Sequence, residues 1–129
     1  MHRPFCDDDT LPDDSVYYHW GALMADALEM NGVNVRQLCP RFFRDNLEAA
    51  GFVDITVYTY KVPYGRWPKG KRFKHIGVVC AEVMSTGIEA YALLAMTRLL
   101  NMPEDEARKL CRDCYDTIMA EKQHCYYFQ

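Results

Sequence analysis

Residues 53–62, VDITVYTYKV, decide how this chain is read. They are rich in β-branched and aromatic residues and read as a strand. Both faces are apolar or aromatic, so the strand is expected inside a sheet and not on its edge. Pro63 ends it. One strand makes no sheet, and a two-stranded ribbon is marginal alone. The residues on either side therefore have to be searched for what this strand packs against.

On the N-terminal side the pattern is helical. Asp14 or Ser15 can cap a helix running to about Met30, with Val16, Trp20, Leu23, Ala27 and Met30 at helical spacing. Asn31-Gly32 stops it. A second helix opens at Pro40, which suits a first turn, with Phe43, Leu47 and Ala50 on one face. Gly51 fits a left-handed closing position, and Phe52 can fold back on the last turn. Before these helices lies an acidic arm, residues 1–14, holding Asp7, Asp8, Asp9, Asp13 and Asp14.

On the C-terminal side comes a loop over 63–72, with Tyr64, Trp67 and a run of bases. Cap helices follow over 73–120. A stripe of Phe73, Ile76, Cys80, Val83, Met84, Tyr91, Leu94 and Ala95 predicts a long helix to about Leu100, with a possible break near Gly87. Pro103 opens a last helix, with Glu104, Asp105 and Glu106 in its first turn and Ala107, Leu110, Cys114 and Ile118 as its apolar face. Residues 125–129, CYYFQ, read as the start of a second strand.

Composition narrows the function classes. The chain has 129 residues, half of them apolar, and a net charge of −3. One compact domain is expected, and a dedicated nucleic-acid binder is not. Stacking on Trp67 beside Lys69, Lys71, Arg72 and Lys74 remains a minor alternative. No apolar run approaches a membrane span and the first ten residues lack a signal-peptide core, so a cytoplasmic or nuclear setting is expected. The six cysteines then read as free thiols.

Cofactor motifs are sparse. No two of the seven glycines lie closer than five residues, so there is no GxGxxG turn and no P-loop. Cys111-Arg-Asp-Cys114 with His124 and Cys125 could be three zinc ligands, but nothing completes a site, and two small residues on a buried helix face is the preferred reading. No metal is expected. No Cys–His pair singles itself out as catalytic, and His19 and His75 read as packing or surface residues.

Several stretches together resemble a known family. They are CDDDTLPDDS, VRQLCPRFFRDNLEAAGFVDITVYTYKVPYGRWPKGKRFKHIG, GIEAYALLAMTRLLNMPEDEA and QHCYYF. The chain resembles the C-terminal half of fungal class I, Rossmann-like S-adenosylmethionine-dependent methyltransferases of the secondary-metabolism type. It departs from the family's pattern at Asp9, usually Gly, and at Gly70, often an acid. The resemblance implies an α/β fold in which residues 53–62 are the sixth strand and Tyr126 begins an antiparallel seventh. It implies S-adenosylmethionine as cofactor, held by an N-terminal half to which no residue here maps.

The acidic arm and KVPYGRWP would both leave the carboxyl ends of strands, on the substrate side. Candidate substrate contacts are Trp20, Tyr64, Trp67 and Tyr91 as pocket walls, with Asp7 and Asp8 near the mouth. The expected function is the substrate-side half of a methyltransferase acting on a small-molecule secondary metabolite. The alternative is a non-catalytic interaction subunit that self-associates or docks to a protein partner, or a SAM-independent cyclase or isomerase.

Overall fold

In the computed structural model, residues 5–120 and 122–129 are described. The first four residues of the expected acidic arm lie outside them. Helices dominate. In chain order the elements are β1 (Phe5–Cys6), α1 (Val16–Met30), α2 (Pro40–Ala49), β2 (Lys61–Pro63), α3 (Lys71–Leu94), α4 (Glu104–Met119) and β3 (Cys125–Phe128). A single 3-10 turn, Val35–Gln37, lies between α1 and α2, and a π-helical turn, Ala95–Leu99, prolongs α3.

Local chemistry accounts for the helix ends. The Ser15 side chain accepts from the Tyr17 N–H, so Ser15, not Asp14, caps α1. Pro40 opens α2 behind Cys39. At the far end Gly51 takes φ +90°, its N–H bonds the Glu48 carbonyl, and the Phe52 N–H bonds Leu47. That pair of bonds is a Schellman closure, and glycine adopts the required left-handed φ without strain. Three acids sit at the N-terminus of α4, where the helix dipole favours them.

The sheet has three strands in the order β1-β3-β2. β3 runs antiparallel to both neighbours, in register Cys6 with Cys125 and Val62 with Tyr127. β1 and β2 are therefore parallel to each other. The antiparallel last strand agrees with its sequence reading. The long strand does not: only Lys61–Pro63 pair as β2, extended by two backbone bonds between Tyr60 and Gln129. Residues 53–59 precede β2 without strand pairing, and Val53, Tyr58 and Tyr60 are exposed. Their apolar character asks for a neighbouring strand, and among the described residues none pairs with them.

Helix α3 begins at Lys71, two residues before the expected Phe73, and runs unbroken past Gly87. Its buried stripe is Gly77, Ala81, Met84, Ile88 and Ala92, continued by Met96. The predicted stripe was rotated from this: Phe73, Val83, Tyr91 and Leu94 are exposed. Met84 of the predicted stripe is buried, and small residues, Gly77, Ala81 and Ala92, join it because α3 packs closely on α4 and on the 64–68 turn. At Gly77 the approach is closest. A Cβ there would lie 1.9 Å from the Gly65 carbonyl oxygen, and the Gly65 N–H bonds the Gly77 carbonyl. Lys71–Leu99 spans 29 residues and is long and apolar enough, by length and composition only, to cross a membrane.

The core gathers Tyr17 and Trp20 of α1, Met84, Ile88 and Met96 of the α3 segment, and Cys111, Cys114 and Ile118 of α4. Cys111 and Cys114 thus occupy the buried face of α4. All six cysteines are free thiols. Burial pushes the Cys125 thiol up to about 12 and raises Cys114 as well, so neither is a thiolate at neutral pH.

Candidate functional site

The six candidate contacts fall into three places. Asp7, Asp8 and Trp67 come together at the end of β3. The acidic arm folds across it: Asp7 accepts from the Tyr126 hydroxyl at 2.7 Å and pairs with Lys61 at 2.6 Å. The Lys61 ammonium also lies 4.3 Å from the centre of the Tyr126 ring. Asp8 pairs with His124 Nδ1 and accepts from the Thr10 hydroxyl at 2.8 Å. Thr10 in turn accepts from the His124 N–H at 2.7 Å.

Trp67 completes this clasp. Its ring stacks on His124 with centroids 5.0 Å apart, and its indole N–H donates to the Cys125 carbonyl. These bonds set the electrostatics. The His124 and Thr10 donors hold the Asp8 carboxyl well below the usual carboxylate range. Lys61, then Tyr126, lowers Asp7. Both groups favour the charged form because the partners donate to it. The chain can turn here because Asp9 takes φ +57°, the left-handed region where glycine is at ease. Asp is one of the few other residues that tolerates it.

Tyr64 lies elsewhere, buried in the core. It packs edge-on against Tyr17 and stacks on Tyr127 at 5.1 Å. Burial raises its phenol pKa. It also borders a cavity of about 640 Å³ between residues 38–43, residues 57–59, β3 and α3, with Phe43, Val83 and Tyr127 around it.

Trp20 and Tyr91 share a second cavity, of about 510 Å³, between α1 and the end of α3. Trp20 is 2% exposed and forms its inner wall, whereas Tyr91 is 71% exposed at its rim. The Trp20 indole N–H is buried without a full hydrogen bond among the described residues. The polar group beside it is the Cys111 thiol. Both cavities have the size and apolar lining of small-molecule sites. Asp7, Asp8 and Trp67 border neither of them.

Sequence reading missed Lys61, Thr10 and Tyr126, and considered His124 only as a metal ligand. The clasp joins residues up to 119 positions apart, which no local spacing reveals. Its signal lay in two of the quoted stretches, DDDT and HCY, whose members the fold pairs one with another.

Comparisons with known proteins agree with the resemblance. The chain is 36% identical over 101 residues to the secondary metabolism regulator LAE1 of Cochliobolus heterostrophus, covering 75% of this chain and 31% of that protein. It is 29% identical over 123 residues to the secondary metabolism regulator laeA of Fusarium oxysporum, covering 95% of this chain and 39% of the relative. It is 27% identical over 124 residues to methyltransferase pytC of Aspergillus terreus, covering 95% and 37%. No protein-family profile matches the chain, and no solved structure does. This chain is therefore a homologue of fungal secondary-metabolism regulators and methyltransferases, matched over most of its own length and spanning less than two fifths of theirs.

Proposed function

We propose that these residues form the substrate-side portion of a SAM-dependent methyltransferase-type protein that acts on a small secondary metabolite. The observation that carries this reading is the match across 95% of the chain to a protein named as a methyltransferase. The cavity between Trp20 and Tyr91 is its acceptor site. Methyl transfer rests mainly on holding the acceptor atom in line with the methyl sulfonium, so a shaped apolar wall is the contribution required of this portion.

The residues present do not fit the cofactor. Nucleoside cofactors of such folds rest on a glycine-rich turn and an acid that holds the ribose. The acids at the end of β1 are already committed to Tyr126, Lys61, Thr10 and His124. The glycine pair that approaches most closely, Gly65 and Gly77, is filled by the chain's own backbone. Calorimetric titration of S-adenosylmethionine into this chain is expected to give no binding heat, and tight binding would overturn the assignment.

A second reading rests on one observation, the exposed apolar face of α3 formed by Val79, Val83, Tyr91 and Leu94. Such a face favours self-association or a protein partner. Size measurement by light scattering separates the two readings, since a monomer without binding of an exposed-hydrophobe dye sinks this one.

A further inference from the structure

The cavity between α1 and the end of α3 has a chemical polarity that its apolar walls hide. Trp20, Met24, Leu28 and Leu94 line it, and one charged side chain, Arg98, joins them. No carboxylate pairs with Arg98 among the described residues. Arg36 is held by Asp26 and Glu29, and Arg108 by Glu89 and Glu104. Arg98 sits on the π-helical turn Ala95–Leu99. Such turns are rare and recur at functional sites.

Gly21 is a second, independent sign. It lies inside α1, where glycine costs about 0.5–1 kcal/mol relative to alanine. A Cβ there would meet nothing within 4 Å, so helix packing does not require the glycine. What its missing side chain leaves open is the wall of this cavity. The rings of Trp20 and Tyr91 suit a flat apolar body. A guanidinium is planar and matches a carboxylate with two parallel hydrogen bonds.

We infer that the cavity takes an aromatic carboxylate, its ring system between Trp20 and Tyr91 and its carboxylate on Arg98. This rests on the proposed acceptor-site reading and names the class of acceptor. The test uses the 129-residue chain and two probes of the same shape, naphthalene-2-carboxylate and naphthalene-2-carboxamide, titrated calorimetrically.

The carboxylate is expected to bind roughly tenfold more tightly than the amide. Arg98→Gln is expected to remove that preference while leaving amide binding in place. Gly21→Leu, which suits a helix and fills the open wall, is expected to weaken both probes with the circular dichroism unchanged. Equal affinities in the unsubstituted chain overturn the carboxylate assignment and leave the cavity as a neutral site. A preference that survives Arg98→Gln overturns the role of Arg98. Binding of neither probe overturns the acceptor-site reading itself.

Discussion

Helices α2 and α4 look alike in sequence and have opposite fates. Each is amphipathic and each opens behind or at a proline. α4 buries most of its apolar face: Ala107, Cys111, Cys114 and Ile118 are all at most 2% exposed, and Leu110 packs partly buried against them. α2 buries no residue at all, and Phe43 and Leu47 stay open. Amphipathic patterning thus states that a face needs cover. It does not state whether the cover lies within these residues.

The contrast can be broken by substitution, and the largest effect is expected where packing is tightest. Gly77→Ala places a methyl group 1.9 Å from the Gly65 carbonyl. It is expected to cost about 3 kcal/mol in urea unfolding, because backbone and not a flexible side chain has to move. A change under about 1 kcal/mol would mean that α3 and the 64–68 turn are not held together as seen.

Ile118→Ala on α4 comes next, at about 3 kcal/mol or slightly less, as the lost burial adds to the cavity it leaves. Its counterpart, Leu47→Ala on α2, is expected within about 0.5 kcal/mol. Equal costs would erase the difference between the two helices. Hydrogen exchange sharpens the same point. Amides of α2 are expected to exchange through local opening, and those of α4 only through global unfolding.

A smaller, stabilising effect is expected at the start of α3. Gly70 caps that helix with no side-chain hydrogen bond, and a Cβ there meets only the Phe73 ring, at 4.0 Å. Lys71, Arg72 and Lys74 occupy the first turn, where cations oppose the dipole. Gly70→Asp supplies both a cap and a compensating charge. It is expected to add about 0.5 kcal/mol, read from thermal unfolding.

The clasp on β3 gives the smallest and most local response. Its carboxylates have depressed pKa values in the folded chain. Their contribution is complete above the unfolded value near 3.8 and is lost as the pH falls through the lower folded values. Trp67 stacks on His124, so its fluorescence reports the opening. Asp8→Asn is expected to loosen the stack already at neutral pH and to flatten the acid transition. An unchanged acid profile would remove Asp8 from the clasp.

The sequence was legible wherever one element specifies itself. Ser15 before an apolar periodicity, Pro40 at a first turn, Gly51 at a closing turn and three acids at the head of α4 are local signals, and the structure has each in place. Of the four residues read as walls of one pocket, Trp20 and Tyr91 border one cavity, Tyr64 another and Trp67 neither. The phase of α3 was not legible. Counting bulky residues selected Phe73, Val83, Tyr91 and Leu94, whereas close approach selected Gly77, Ala81 and Ala92. Tyr64, read as a pocket wall, is buried and borders the other cavity, because its loop folds into the core.

What the sequence by itself determined is the set of helices, the caps of α1, α2 and α4, the apolar demand of residues 53–62 and the kinship with fungal methyltransferases and regulators. The tertiary structure alone decided that only Lys61–Pro63, at the end of that stretch, pairs, as an outer strand, and that Asp7 and Asp8 hold Tyr126 and His124. It also decided that Arg98 joins Trp20 at one cavity. The physical reason is range. Caps and periodicities are written within one or two turns of chain, whereas a sheet edge, a clasp and a cavity depend on partners scores of residues away.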